Sequence, residues 1–407
     1  LVTGLIAGTY PALYLSSFQP VKVLKGVFKA GRFAAIPRKV LVVTQFTVSI
    51  ILIISTITVF RQVQFAKSRP MGYSKQGLIT IVMQTYNYHN NLANMRNELL
   101  QQGAIVDMEE SNTPVTENDR FDNGFTWAGK DPQVSAKFNT IGTGFDYGKT
   151  VEWAFVDGRD FSRQYATDSS GIILNEAAVK YLGFKKPVGE TIKWYDKSLK
   201  VVGVIKDMAM ESPYESAKPT IFYIDSTIGG ILNIRLSPNM TTAASLAKVA
   251  AVCKKYSPEE PFDYHFADEA YAQKFMDEER VGKLVGYFAA LAIFISCLGL
   301  FGMASFVAEQ RTREIGVRKV LGASVFNLWR LLNRDFVLLI IISMLIATPL
   351  AYYFMNNWLQ HYALRTELSW WVFEATGAGA VLITILTVSY QSIKAALLNP
   401  VKSLRSE

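Results

Sequence analysis

The residues with the most specific chemistry crowd into one stretch, Gln310-Arg-Thr-Arg-Glu-Ile-Gly-Val-Arg-Lys-Val-Leu-Gly-Ala-Ser324. Arg311, Arg313, Arg318 and Lys319 supply positive charge, Glu314 a carboxylate and Ile315 an apolar side chain. The spacing predicts a short amphipathic helix that Gly316 and Gly322 thin or end, with Ser324 placed to cap the next helix. The basic side chains can snorkel to lipid phosphates. Lipid anchoring accounts for the charge but not for the order of residues. Docking in the groove of a soluble partner accounts for both and is the preferred reading.

Catalytic constellations are not found elsewhere. The sequence holds no G-x-x-x-x-G-K-[ST] phosphate loop and no G-x-S-x-G elbow. His89, His265 and His361 are dispersed, without ligand partners at helical spacing, so no zinc site is expected. The acids Glu109-Glu110, Glu259-Glu260 and Asp277-Glu278-Glu279 read as solvated faces. Cys253 and Cys297 are too few for a disulfide framework. The chain is therefore read as a non-enzyme that carries no cofactor of its own. A membrane-tethered enzyme in Arg61–Lys283 is the weaker alternative, with no residues to support it.

The elements around the basic stretch explain where it must lie. A bilayer core of roughly 30 Å needs about 20 apolar residues in a helix. Four windows qualify: Val40–Phe60, Leu284–Phe306, Phe336–Phe354 and Val372–Tyr390. Within them Glu374 is the one acidic or basic residue, near one end of the last, so no charge sits at mid-depth to mark a hydrophilic pathway. Gly299 and Gly302 read as small residues that let helices approach closely. Leu1–Leu15 is apolar but short, and is read as the cut end of a preceding span. The fold class expected is a membrane protein: an α-helical bundle of four full spans plus that cut end, carrying a large extracytoplasmic mixed α/β domain.

The net charge of +8 is a topology signal. The segments Ser16–Lys39, Val307–Asp335 and Gln391–Glu407 together hold 15 basic and 4 acidic residues, which leaves 27 basic against 30 acidic elsewhere. Short connectors rich in Lys and Arg face the cytoplasm. The excess thus places the basic stretch inside, and gives no reason to invoke nucleic acid. Arg61–Lys283 and the loop Met355–Trp371 then lie outside. The domains expected are 1–39, a span end and basic linker; 40–60, a first span; 61–283, the outer α/β domain with helical stalks; and 284–407. The last contains spans 284–306, 336–354 and 372–390, a coupling segment 307–324 and a cytoplasmic tail 391–407.

Tyr10–Lys25 lines up with Tyr390–Arg405 at a constant offset, matching Tyr10/Tyr390, Pro20/Pro400, Val21/Val401, Lys22/Lys402 and Leu24/Leu404. The chain is read as the tail of one repeat followed by a whole one. In the outer region, strands are expected at Leu78–Met83, Gly171–Asn175, Leu199–Ile205 and Ile231–Leu236. Helices are expected at Asn91–Gln102, Glu176–Leu182 and Thr241–Lys255, the second ending at Gly183. Asp107–Gln133 reads as a polar loop or hairpin region. Arg61–Ser68 should extend the first span as helix, and Asp268–Lys283 should run as helix into the second. Phe145–Asp160 and Phe262–Tyr271 read as aromatic packing, with contact surfaces as the alternative.

Taken together, these residues resemble the permeases of MacB- and FtsX-type ABC transporters. The strongest match is Arg311–Ser324 following Leu298-Gly-Leu-Phe-Gly302, which resembles the FtsX-like membrane domain. The outer region resembles a MacB-type periplasmic domain through Gly158-Arg-Asp-Phe161, Leu174-Asn-Glu176, Pro187-Val-Gly189 and Val202-Gly-Val-Ile-Lys-Asp207. The resemblance implies a bacterial inner-membrane permease moved by a separate cytoplasmic ATPase dimer that holds ATP and Mg. Arg311, Arg313, Glu314, Ile315, Gly316, Arg318, Lys319 and Gly322 would form the coupling segment. The implied work is export or extraction of an antibiotic, peptide or lipoprotein at the outer face. The alternative is an FtsX-like scaffold that regulates cell-wall hydrolases. Implied partners are the ATPase, lipid, a first repeat or second permease copy, and a periplasmic adaptor or substrate protein.

Overall fold

The computed structural model describes residues 36–117, 120–131, 133, 135–225, 227 and 230–397 together with Thr9, the side chains of Arg313, Ala395 and Ala396 apart. The expectations for Leu1–Leu15 and most of the basic linker lie outside these residues, apart from Thr9. So do the tail beyond Leu397 and the Tyr10–Lys25 half of the internal repeat.

In chain order the elements begin with α1 (Ile36–Lys67), β1 (Leu78–Val82), α2 (Asn87–Gln101), β2 (Ile105–Ser111), β3 (Phe121–Asp122) and β4 (Phe125–Trp127). They continue with β5 (Phe138–Thr143), α3 (Tyr147–Val151), β6 (Phe155–Gly158), β7 (Gly171–Asn175), α4 (Glu176–Leu182), β8 (Thr191–Trp194) and β9 (Lys197–Ile205). Then follow β10 (Thr220–Ile224), β11 (Ile231–Leu236), α5 (Thr242–Tyr256), β12 (His265–Phe266) and α6 (Ala267–Gln273). The chain closes with α7 (Met276–Gln310), α8 (Thr312–Val320), α9 (Val325–Leu359) and α10 (Trp370–Leu397). The described residues divide into two compact units, a bundle of 36–57, 285–354 and 368–397, and an outer unit of 58–284 and 355–367.

In the bundle, α1, α7, α9 and α10 are long and apolar enough to cross a membrane. Backbone N–H and C=O groups have no water to bond in hydrocarbon, so the helix that pairs them internally is the form these windows can take. Phe46, Ile50 and Ile54 of α1 pack with Leu300 of α7, Phe336 and Ile340 of α9, and Val372 and Val388 of α10. Short polar contacts add direction to this packing. Ser49 and Ser296 share a hydroxyl hydrogen bond of 3.1 Å, and Ser343 Oγ donates to the Val43 carbonyl at 3.1 Å. Trp329 Nε1 donates to Ser389 Oγ at 2.8 Å. The expected pair of helix-approach glycines is half right. A Cβ at Gly299 would meet Gln45 at 3.2 Å, whereas one at Gly302 would meet nothing within 4 Å. Gly377 is the tighter point, since a Cβ there would lie 2.3 Å from Met344 Cε.

The outer unit is built on a sheet in the order β12-β1-β11-β2-β5-β10-β7-β9-β8-β4, with β3 added on β5 and β6 on β9. Most neighbours are antiparallel, but β5–β10 and β7–β9 are parallel. Between β2 and β5 the ladder narrows to one register pair, Ser111 with Thr143. That joint separates two lobes. On one side α2 and α5 cover β1, β2 and β11 over Met95, Leu99, Val249 and Val252. On the other, Phe138, Ile172, Leu174 and Ile221 pack beneath Ala178 and Leu182 of α4.

Several expectations need correction. Asp107–Gln133 is not a continuous polar loop, because it contains most of β2 together with β3 and β4. Its acids misled: Glu109 and Glu110 are buried and do not form a solvated face. Glu109 accepts the Asp146 N–H at 3.0 Å and lies beside Arg163, while Glu110 pairs with His89 at 2.7 Å. Burial pushes both carboxyls above their ordinary range. Glu260 is likewise buried, held by the Thr85 and Ser257 hydroxyls. The second stalk is interrupted between α6 and α7. There Lys274 donates to the carbonyls of Met210 at 2.6 Å and Glu211 at 2.5 Å, and Phe275 turns into a cluster with Val63, Ala66, Tyr214 and Tyr271. Neither placement suits an unbroken helix. Arg61–Lys67, by contrast, continues α1 as expected.

Candidate functional site

The basic stretch forms α8, and its two faces differ. At its root, Arg311 ends α7 and donates to Asp335 of α9 at 2.9 Å. The Thr312 hydroxyl donates to the Ala308 and Glu309 carbonyls at 3.0 and 2.8 Å, satisfying the last turn of α7. Ile315 is the anchor, 4% exposed in a cluster with Ala308, Leu328 and Leu332, and Gly316 is buried next to it. The opposite face is exposed. Glu314 and Arg318 pair at 2.7 Å one turn apart, both well exposed. Val317, Val320 and Leu321, spaced as one helix face, are 47%, 66% and 79% exposed.

The turn after α8 fixes its length. Gly322 takes φ +87°, its N–H donates to the Lys319 carbonyl at 3.1 Å, and the Ala323 N–H reaches back to Arg318 at 2.9 Å. That is the paired C-cap in which glycine tolerates the left-handed residue. Ser324 Oγ then accepts the Asn327 N–H at 3.3 Å, opening α9. So Arg311, Thr312, Ile315, Gly316 and Gly322 build the segment, while Glu314 and Arg318 present charge. Lys319 is half-buried, and Arg313 lies within α8. Sequence reasoning passed over Val317, Val320 and Leu321. Their i, i+3, i+4 spacing was the available signal.

A second constellation lies in the outer unit, where the loop between α9 and α10 is strapped down. Gln62, fully buried on α1, donates through Nε2 to the Leu364 carbonyl and accepts the Thr366 N–H at Oε1, each at 2.8 Å. The Leu364 N–H donates to the Tyr214 carbonyl at 3.0 Å. Tyr362 sits 4.9 Å from both the Tyr214 and Trp358 rings, centroid to centroid. A lone glutamine in a stalk gave no sequence signal for this clamp.

The short outer motifs turn out to be structural staples. Gly158 takes φ +74°, and a Cβ there would lie 2.4 Å from the Val202 carbonyl oxygen. Arg159 holds Asp168 with two bonds of 2.6 and 2.8 Å, which keeps the Asp168 carboxyl below its usual range. Asp160 is pushed up to about 6 by burial, which outweighs its bonds from the Phe161 N–H and the Trp153 indole. Asn175 caps α4 at Ala178 and also accepts the Thr220 N–H, while Asp207 accepts the Ala177 N–H at 2.8 Å. Leu174-Asn-Glu176 and Val202–Asp207 therefore meet at one corner. Of the aromatic stretches, Tyr147 and Trp153 are buried, and Phe262, Tyr264 and Phe266 pack against the α2–α5 lobe. Among the described residues no group of His, Cys, Asp and Glu could hold a metal ion.

Two family models cover most of the chain. The MacB-like periplasmic core domain matches residues 42–252, and the FtsX-like permease C-terminal domain matches residues 286–400. The chain belongs to this family of MacB- and FtsX-type ABC transporter permeases. A curated relative, the macrolide export ATP-binding/permease protein MacB of Chlorobium phaeobacteroides, is 26% identical over 65% of this chain and 43% of its own length. The uncharacterized ABC transporter permease YknZ of Bacillus subtilis is 22% identical over 61% of this chain and 65% of its own length. The chain thus spans under half of the first relative and about two thirds of the second. Among solved structures, the periplasmic region of MacB from Actinobacillus actinomycetemcomitans overlaps 51% of this chain and 96% of that one, at 16% identity and a TM-score of 0.36.

Proposed function

We propose that this chain transmits ATP-driven motion from a separate ATPase dimer to its outer domain. The observation that carries the reading is α8: a short helix anchored by Ile315, ended at both sides by turns, and presenting Val317, Val320 and Leu321 beside Glu314 and Arg318. An apolar face flanked by charge suits a groove on a soluble protein. The excess of Lys and Arg in the connectors supports a cytoplasmic location for it, hence a bacterial inner membrane with the outer unit in the periplasm. ATP and Mg would be held by the ATPase partner. The work delivered outside is export or extraction of a substrate of antibiotic, peptide or lipoprotein type. The Chlorobium relative, named as a macrolide export protein, favours transport over cell-wall signalling.

The test is co-expression of the permease with candidate ATPase subunits, purification in lipid discs and measurement of ATP hydrolysis. The expected outcome is hydrolysis that depends on the complex and falls with Arg318→Glu, which sets two carboxylates against each other at Glu314. Hydrolysis unchanged by that variant, or no association with any ATPase, overturns the coupling role of α8.

A further inference from the structure

Near the base of α8, but apart from its exposed face, the bundle holds a cavity of about 130 Å³. Its rim is Arg38, Lys39, Gln310 and Arg311, with Asp335, and its floor is apolar, including Met303, Phe306 and Leu339. At roughly 30 Å³ per molecule it has room for about four waters, or for one phosphodiester group. Arg311 is already held by Asp335. Among the described residues neither Arg38 nor Lys39 has a carboxylate partner, so the rim carries two positive charges in excess. Arg38 is positioned over the Phe306 ring, its guanidinium carbon 4.3 Å from the centroid. A cation stacked in this way keeps its N–H donors free for an anion.

We infer that this cavity binds the phosphate of an anionic phospholipid. Three features point to a lipid in preference to free phosphate. The rim lies at the end of the spans, where the fixed charges meet the headgroup layer. The apolar floor includes Phe306, which is 45% exposed on a helix long and apolar enough to cross the bilayer. Unpaired cations beside an apolar floor match a headgroup joined to an acyl chain. The inference does not rest on ATPase coupling. It concerns the root of the connector, so a bound lipid would hold α1, α7 and α9 together where α8 begins.

The experiment uses the full permease, purified in detergent and offered equal phosphatidylglycerol and phosphatidylcholine, with retained lipid counted by native mass spectrometry. Preferential retention of phosphatidylglycerol is expected. The double variant Arg38→Gln, Lys39→Gln should weaken it about 30-fold, from the usual worth of two cations near an anionic surface. Met303→Trp, which fills the floor and leaves both cations, should weaken it as well. Melting in pure phosphatidylcholine checks that each variant is folded. Equal retention of the two lipids by the unaltered protein overturns the inference, as does undiminished retention by both folded variants. Displacement of the lipid by millimolar inorganic phosphate would reassign the cavity to the free anion. Because no ATPase is present, failure here is distinct from failure of the coupling role.

Discussion

The connector α8 and the strap 355–367 are both short links between membrane helices, yet they are built in opposite ways. The connector is fastened by the buried Ile315 and by Arg311 on Asp335, and leaves its apolar face in solvent, with Leu321 79% exposed. The strap is fastened by the buried Gln62 amide, and Tyr362 packs on Tyr214. A link finished within its own chain resists change. A link with an uncovered face keeps apolar side chains available for contact. The difference teaches that one link closes on side chains of its own unit, while the other keeps an apolar face in solvent.

The comparison is broken most directly at Gln62. Gln62→Leu keeps the volume but leaves the Leu364 carbonyl and Thr366 N–H without partners, at about 1–3 kcal/mol each. A drop of several degrees in melting temperature is expected, with faster proteolysis within 355–367. Unchanged melting would show that the strap is not closed by this amide. Leu321→Asp asks the converse question. An exposed substitution should shift stability by no more than about 0.5 kcal/mol, while ATPase association should fall at least about tenfold if the face is a docking surface. Loss of folding in place of association would mean that α8 is packed within the chain.

The outer unit should also show proton linkage. Folding raises the Asp160 pKa to about 6, so the folded state takes up a proton that the unfolded state has lost. That stabilisation is complete below about 4 and is lost as pH rises through about 6. Glu109 and Glu110, also raised by burial, act in the same direction. Denaturant melts from pH 4 to 7 should therefore show declining stability, and Asp160→Asn should flatten the curve without abolishing the slope. The smallest effect belongs to Glu314→Gln. Its pair with Arg318 is exposed and worth roughly 0.3–0.5 kcal/mol. Circular dichroism should find the melting point nearly unchanged and insensitive to salt.

Much of the fold was legible because its signals are local. The four apolar windows lie inside α1, α7, α9 and α10, since a long uncharged run in a bilayer has no alternative to helix. Gly171–Asn175, Glu176–Leu182 and Ile231–Leu236 were read to the residue, because β-rich runs, the Asn175 cap and Gly183 mark their own ends. The sequence also placed Arg311, Arg313, Glu314, Ile315, Gly316, Arg318, Lys319 and Gly322 in one short amphipathic segment, since capping and helical period act over a few residues.

What depended on distant partners was decided by the tertiary structure. Glu109 and Glu110 look like any solvated acid pair until Asp146, Arg163 and His89 close around them. The strand β2 was hidden in a polar stretch because its pairing partner β11 lies more than a hundred residues away in the chain. Gln62 carries no mark of the clamp it makes with Leu364 and Thr366. Local propensity and hydropathy determined which segments cross, turn and cap. Which polar side chains are buried, and which apolar face of α8 is left uncovered, depends on through-space desolvation and hydrogen bonding that no spacing along the chain encodes.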